Sequence, residues 1–560
     1  MNQPLNVDSS LRMNPSTPSP HPPVCLFSAF PIVKPQPRAK TLLRPSPHHA
    51  APSPLNGERA GVRGVTDQEF PSPRRRSTPH PGPLLNRGGE GARAGRRLRS
   101  DGRPRSLAPG RSAATYSSAW ERVPAGRVPG SLTRRDFLKT SATATGTAVA
   151  LGALDLARFA HAAGSGAIKI GLIGCGGRCS GAGEQALGLG KDVKLAGMTD
   201  VFESRMEVKR AYFKEKFPDQ FIATGDSCRF GLDGYKAVIA ASDAVLIACA
   251  SKFHAFYAEQ ALEAGKHVFV EKPHAIDPAG CLRLKRAAAM ARKKNLSLVS
   301  GHESRYHIPY QEMVKRIHDG AIGKVIAIQS MFLRAPYQTV ARDPKWNEVE
   351  YQFSNWYHFR WLSGDDVTQS LVHNFDRMRW VLREENPTWC FGLGGRSSAF
   401  GEVYGDMFDH ASVTFEFQSG PRLYGMCQTR TGCHANWDDI IMGTKGVCSW
   451  NACRFDGETK WRYDGPKNNP HVAEQEILIG SIRAGKPVNH GDTMIDSTYM
   501  AIMGQIATYT GKPVTWEQML KADFEFVPKL ADVRLDMPPP TKPDAQGNYP
   551  LPVPGKTSYF

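Results

Sequence analysis

The sequence predicts two folded domains in tandem: a parallel α/β domain, then an α+β domain with a largely antiparallel sheet. Two observations carry this. Between 168 and 299, short apolar runs dense in β-branched residues alternate with helical segments, as buried parallel strands and their crossovers do. From Gly323 onward the runs lengthen, alternate in polarity and follow one another with few helices between them.

The first domain opens on the run 168–173, which stops abruptly at Gly174, with Gly176 and Gly177 close behind. In a dinucleotide-binding turn of this G-x-G form, the first glycine permits the tight turn and the second lets the backbone approach a pyrophosphate. Cys179 stands where a third glycine is usual, and it is small enough to keep helix and strand close. A short helix is expected over 183–189, its N-terminal N–H groups toward the pyrophosphate. A second strand, 193–199, leads to Asp200, near the spacing of an acid that hydrogen-bonds an adenosine ribose. Such an acid repels a 2′-phosphate, so NAD is expected rather than NADP; the alternative role for Asp200 is a cap on a helix over 202–213. Strand, glycine turn, helix, strand and acid in this order describe a Rossmann dinucleotide-binding unit.

The alternation continues. Strands are expected over 243–248, 268–270 and 296–299, with helices over 255–264 and 279–293. Ligands of such sheets lie at the carboxyl ends of the strands, where 249–254 and 271–274 fall. In the second domain, strands are expected over 324–333, 411–417, 421–428 and 446–451.

A chain of 560 residues allows two domains plus extensions. The net charge of +18 suggests a nucleic-acid partner until it is divided. Residues 1–162 hold 24 Lys+Arg against 9 Asp+Glu, which leaves 47 against 44 for the remainder. The basicity belongs to the leader, so no nucleic-acid partner is expected for the folded part. Residues 1–130, rich in Pro, Arg, Ser and Gly, lack the apolar surface to offset their ordering entropy and read as disordered. Their internal echo, 48–64 against 80–95, suggests translated non-coding repeat. No methionine lies between Met13 and Met198, so translation is expected to start at a non-AUG codon near Val123 or Val128.

Residues 131–162 read as a twin-arginine signal peptide. Ser131-Leu132-Thr133-Arg134-Arg135-Asp136-Phe137-Leu138-Lys139 precedes a mildly apolar run over 140–156 and the cleavage-like Ala160-His161-Ala162. The expectation is export through the twin-arginine translocase to the periplasm, with no membrane span, since no run reaches eighteen apolar residues. The ten cysteines after 162 are scattered without zinc-site spacing, so no metal site is expected. Cys427/Cys433 and Cys448/Cys453 are open as disulfides or free thiols. Domains are accordingly placed at 163–303 and 304–535, with a Pro-rich arm over 536–560.

The segment AGKHVFVEKPHA (264–275) resembles the signature of the Gfo/Idh/MocA oxidoreductases. GAIGKV (320–325), WLSGDD (361–366), VHNFDRMRWVL (372–382) and GTKG (443–446) are similar landmarks, and the resemblance covers about 165–535. It implies that Lys272 sits beside the nicotinamide and touches the reacting hydroxyl. It further implies that Glu271 and the loop ending in Phe253-His254 run along the cofactor. The family's D-x-x-x-H places an acid/base histidine and a supporting aspartate on one helix face. His373 matches, but Gln369 stands four residues earlier. Glutamine can hydrogen-bond a substrate hydroxyl or orient the ring, yet it cannot stabilise an imidazolium by charge; Asp376 is the other candidate support.

Arg305, Tyr306, Trp356 and Tyr357, with His358, Trp361 and His434 nearby in the pattern, supply flat faces and polar groups suited to a sugar or cyclitol ring. The resulting expectation is an NAD-dependent oxidoreductase acting on a carbohydrate or cyclitol, homo-oligomeric, its cofactor tightly held and recycled on the enzyme. Two rivals stand beside it. One is an NAD-dependent glycosidase working by transient oxidation and elimination, although the Tyr-Pro-x-His of that branch is missing here. The other is a sugar-binding protein that has lost turnover, for which Gln369 is the best argument.

Overall fold

The computed structural model describes residues 166–560, so the leader, signal-peptide and start-site readings lie outside the described residues. The first domain is built on a five-stranded parallel sheet: β1 (Ile168–Ile173), β2 (Val193–Thr199), β3 (Ala244–Ile247), β4 (His267–Val270) and β5 (Leu298–Ser300). The spatial order is β2-β1-β3-β4-β5. Helices α1 (Gly177–Leu187), α2 (Glu203–Lys216), α3 (Tyr235–Ala241), α4 (His254–Glu263) and α5 (Pro278–Lys294) are its crossovers. Ile170, Leu172, Val245 and Val268 are fully buried, as strands covered on both faces must be. The strand order reverses at β1, which opens a crevice at the carboxyl ends of β1 and β3. Gly174 sits there with φ +107°, and a Cβ on it would lie 2.4 Å from the Ala248 carbonyl oxygen. Only glycine fits this turn.

The helix after the turn starts six residues earlier than expected. Residues 177–183 carry three glycines, which disfavour a helix, but Cys179, Ala182 and Gly183 are buried. A Cβ on Gly183 would press within 3.1 Å of Leu172, so close packing on β1 overrides propensity.

The second domain carries a nine-stranded sheet in the order β13-β12-β11-β10-β6-β9-β8-β7-β14. Its main strands are β6 (Val325–Arg334), β7 (Pro387–Gly395), β8 (His410–Phe417), β9 (Arg422–Thr429), β10 (Asp439–Gly443) and β11 (Gly446–Ser449). Three short strands complete it: β12 (Arg454–Gly457), β13 (Trp461–Arg462) and β14 (Val514–Thr515). All pairings are antiparallel except β6 with β9. Helices α6 (Ile308–His318), α7 (Glu348–Ser354), α8 (Val372–Val381), α9 (Pro470–Arg483) and α10 (Gly491–Thr510) accompany the sheet. β8 alternates strictly, with Ala411, Val413, Phe415 and Phe417 turned inward. On the opposite face, Phe391, Leu393 and Tyr424 are exposed around Thr414.

The domain boundary is less simple than a cut at 303. Helix α9 returns to the first domain, where Arg483 pairs with Asp192 and Ser481 with Ser297. The arm over 536–560 wraps its own domain: Tyr549 donates to Glu348 (2.6 Å), and the Tyr559 ring stacks on Phe524. All ten cysteines among the described residues are free, including 427, 433, 448 and 453. Among the described residues, no helix is long and apolar enough to cross a membrane, and no side-chain cluster could hold a metal ion.

Candidate active site

A cavity of about 510 Å³ opens at the carboxyl ends of β1, β3 and β4. One end is shaped for a dinucleotide. Gly176 caps α1, and a Cβ on Gly176 or Gly177 would meet nothing within 4 Å, so the helix N-terminus faces open space. That is the cradle a pyrophosphate needs. Asp200 lines the same cavity at the end of β2. Its Oδ2 accepts the Cys175 N–H (2.8 Å) and its Oδ1 the Phe202 N–H (3.1 Å). Each oxygen keeps a lone pair for a ribose hydroxyl, and α2 is capped at Phe202 rather than by Asp200. From the second domain, Ser354 accepts two hydrogen bonds from Arg205, at its carbonyl (3.1 Å) and its Oγ (2.9 Å). Trp346 packs 5.8 Å from the ring of Phe202. The residues present therefore fit NAD.

The other end holds the groups for chemistry. Lys272 follows β4 and donates from Nζ to the Gln369 carbonyl oxygen (3.3 Å). His373, on α8, places Nδ1 3.0 Å from Glu303 Oε2. Glu303 begins a short 3-10 turn (Glu303–Tyr306) just beyond β5. A Cβ on Gly301 would come within 3.0 Å of Glu271, so a glycine there lets the Glu303 turn close onto the end of β4. Burial lowers the His373 pKa and the Lys272 ammonium adds to that, outweighing the Glu303 carboxylate, which raises it. The ring is thus neutral near pH 7. Burial acts to raise the Glu303 pKa, but His373 and then Arg377 more than offset it and hold the carboxyl well below its ordinary range. The Glu303 carboxylate faces Nδ1 in an ion-pair contact without the alignment of a hydrogen bond.

His471 also lines the cavity, with a buried carboxylate as its partner. Arg178, at the start of α1, bridges Glu271 and Glu474. Glu474, on α9, lies 3.2 Å from His471 Nδ1. At the cavity edge Trp356 stacks on Tyr357 (3.8 Å, 25°), which stacks on Tyr337 (4.2 Å, 21°) beneath the Arg334 guanidinium.

Several sequence expectations change here. Gln369 lines the cavity, but it belongs to a π-helical turn (Val367–Leu371), and its Oε1 accepts from Ser251 Oγ (2.9 Å). The wider turn breaks the i, i+4 relation to His373, so Glu303 supplies the carboxylate that position 369 lacks. Asp376 does not support His373: it binds Arg305 (2.7 Å), His302 (3.1 Å) and Ser497 (2.7 Å). Arg305 is therefore not a substrate group, being clamped by Asp376 and Glu384. Tyr306 is buried and donates to the Ser300 carbonyl (2.6 Å). Phe253 does not line the cavity but stacks between Tyr257 and Phe353.

His254 lines the cavity, yet both its nitrogens are engaged, Nδ1 with the Pro273 carbonyl (2.7 Å) and Nε2 with that of Cys249 (3.1 Å). It brackets the two strand-end loops. His358 is buried against the Tyr337 carbonyl, Trp361 donates to Gln352, and His434 is exposed away from the cavity. Gly174, Gly176, Gly177, Asp200, Glu271, Lys272, His373, Trp356 and Tyr357 all meet at the cavity as expected. Sequence reasoning missed Glu303, Arg178, His471 and Glu474. The one available signal was the position of Glu303 at a strand's carboxyl end.

The comparisons agree with this geometry. Residues 168–302 match an oxidoreductase family with an NAD-binding Rossmann fold, and residues 310–449 match the GFO/IDH/MocA C-terminal domain. Inositol 2-dehydrogenase 3 of Saccharopolyspora erythraea is 34% identical over 32% of this chain and 46% of its own length. The 2,7-anhydro-N-acetylneuraminate hydratase of Mediterraneibacter gnavus is 26% identical over 44% of this chain and 64% of its own. The chain thus spans less than two thirds of these relatives. Among solved structures, an aldose-aldose oxidoreductase from Caulobacter crescentus shares 18% identity over 62% of this chain and 99% of its own, with a TM-score of 0.49. The two matched segments place these domains in the Gfo/Idh/MocA oxidoreductase family, an NAD-binding Rossmann domain followed by the family's C-terminal domain.

Proposed function

We propose that the protein is an NAD-dependent oxidoreductase acting on a hydroxyl of a carbohydrate or cyclitol. The observation that carries this reading is the convergence of Lys272 and the Glu303–His373 pair on the cavity that holds the glycine turn and Asp200. The substrate ring lies against Trp356 and Tyr357. His373 takes the hydroxyl proton, and Glu303 stabilises the imidazolium that forms. Lys272 orients the hydroxyl oxygen and offsets its developing negative charge. The glycine turn at Gly174, Gly176 and Gly177 and the Asp200 carboxylate would hold NAD, which when bound would supply the acceptor for the hydride of the alcohol carbon. Gln369 is no argument for lost turnover, because Glu303 provides the charge. Inositol dehydrogenation by the Saccharopolyspora relative supports a polyol substrate.

A second reading, a redox-neutral elimination or hydration after transient oxidation, is favoured by the second carboxylate–histidine pair and by the relative named a hydratase. It includes the glycosidase route. Export by the twin-arginine pathway rests on Arg134-Arg135 and the run behind them, and an exported enzyme must keep and recycle its dinucleotide. A homo-oligomer is supported by the apolar sheet face at Phe391, Leu393 and Tyr424. The deciding experiment mixes purified protein with a panel of cyclitols and aldoses and follows reduced nicotinamide. Lys272→Ala and His373→Ala should cut the rate on the order of a hundredfold or more with the thermal midpoint unchanged. Turnover that survives both changes would sink the assignment.

A further inference from the structure

Alcohol oxidation in this cavity needs groups from both domains on one hydroxyl. Lys272 follows β4 of the first domain, and His373 sits on α8 of the second. A shift of about 1 Å between such groups can cost on the order of a hundredfold in rate. The two domains therefore have to be held in register here, and Gln369 is placed to do it. Its main-chain carbonyl accepts from Lys272 Nζ (3.3 Å), at the end of β4. Its side-chain Oε1 accepts from Ser251 Oγ (2.9 Å), in the 3-10 turn (Ser251–Phe253) beyond β3. One residue of the second domain is thus gripped from two strand ends of the first.

The π-turn that carries Gln369 does little to hold itself. Thr368 is fully buried and its hydroxyl has no partner, while Ser370 turns to Asp366 (2.6 Å) and Tyr337 (3.0 Å). A turn whose ladder slips by one residue can relax back to the α form. That would return position 369 to the face of His373, one helical turn on. The bond from Ser251 opposes this, and Ser251 is itself a fixed point. Beside it, Lys252 has a side chain only 1% exposed and donates to the Phe526 carbonyl (2.8 Å). The same ammonium lies 3.4 Å from Glu525 and 3.9 Å from Asp277. Phe253 is stacked between Tyr257 and Phe353, and His254 holds both strand-end loops.

Resting on the oxidoreductase reading above, we propose that Ser251 is a positioning residue for the reaction. It is fully buried and does not line the cavity, so it acts through Gln369 and not on the substrate. By holding the Gln369 side chain it fixes the π-turn, and with it the placing of His373 against Lys272. His373 follows Gln369 by four residues on a continuous helical path, so a slip at 369 passes directly to the ring. Lys272 is affected from the same residue, because the carbonyl it donates to moves with the turn.

The test compares Ser251→Ala, Gln369→Met and the double variant in the full-length protein. Ser251→Ala should lower kcat on the order of tenfold or more, with KM, dinucleotide affinity and the thermal midpoint nearly unchanged. Gln369→Met should cost a similar factor in kcat. The double variant should lose no more than the worse single one, since both changes remove one bond. Hydrogen exchange of the dinucleotide-free protein reads that bond apart from the chemistry: amides over 367–374 should exchange roughly tenfold faster in Ser251→Ala. Unchanged exchange means that the turn holds itself, and overturns the proposal. Faster exchange with kcat unchanged overturns it as well, as does a double variant whose losses multiply. A loss of kcat that only tracks a loss of folded protein returns Ser251 to packing. In each of these cases the oxidoreductase reading stands. If the unchanged protein oxidises no sugar or cyclitol, that reading falls and the positioning role falls with it.

Discussion

Replacing Glu303 with glutamine removes one charge and leaves the shape, which isolates what the carboxylate does for His373. Two unit charges 3.0 Å apart attract by roughly 5.5 kcal/mol at an effective dielectric of about 20, a ceiling for this pair. The side chains are 17% and 22% exposed, so water screens part of that. Screening that leaves about 1.5–3 kcal/mol of this attraction sets the expected loss of kcat between roughly tenfold and a hundred and fifty-fold. The pH profile moves in the other sense. Glu303 raises the His373 pKa, so without it the ring stays neutral to lower pH, and the acid limb should shift down. The assay is steady-state oxidation of the best substrate between pH 5 and 9, with the thermal midpoint as a folding control. An unchanged plateau and acid limb would show that His373 works without Glu303, and the dyad assignment would be wrong.

Asp200→Ser should narrow a preference for NAD over NADP that is at least about tenfold in the unchanged protein, since one repelled charge costs ~1.4 kcal/mol or more; binding titrations with both dinucleotides read this directly. Arg305→Ala should lower the thermal midpoint while leaving KM alone. It strands Asp376, which is 1% exposed, and breaking such a buried pair costs about 3–5 kcal/mol. Burial opposes ionisation of Asp376, but Arg305 and then His302 hold its pKa well below the ordinary value. Its stabilising contribution is therefore present above pH ~4 and lost as pH falls, and the Arg305 variant should show a flatter acid limb in its stability profile. Gln369→Asp should not raise turnover. The side chain at 369 faces Ser251 rather than His373, so a rate increase would show that the π-turn does not hold.

Much of the first domain was legible because its signals are local. The apolar runs of β1 and β2 stop where the strands stop, and Gly174 marks the turn that only glycine can make. The start of α1 was hidden, since glycine, cysteine and serine advertise no helix and only packing on β1 holds one there. In the second domain, α10 escaped notice because it is buried along nearly its whole length, leaving no polar face to mark a 3.6-residue period. The cavity groups Lys272 and His373 were legible one at a time. Their partners were not: Glu303 is 70 residues from His373, and Arg178 meets Glu474 across 296. The error at Arg305 and Tyr306 has the same origin, because proximity in sequence to the cavity loops says nothing about which carboxylates lie within reach.

The contacts beside the Asp200 end of the cavity join the two domains. Arg205 reaches Ser354 and Phe202 leans on Trp346, so groups from both domains meet above the place where the ribose sits. Arg205 and Phe202 themselves line that cavity, so the dinucleotide wall of the first domain is tied directly to the second. Any relative motion of the two domains is therefore coupled to the shape of the cofactor site.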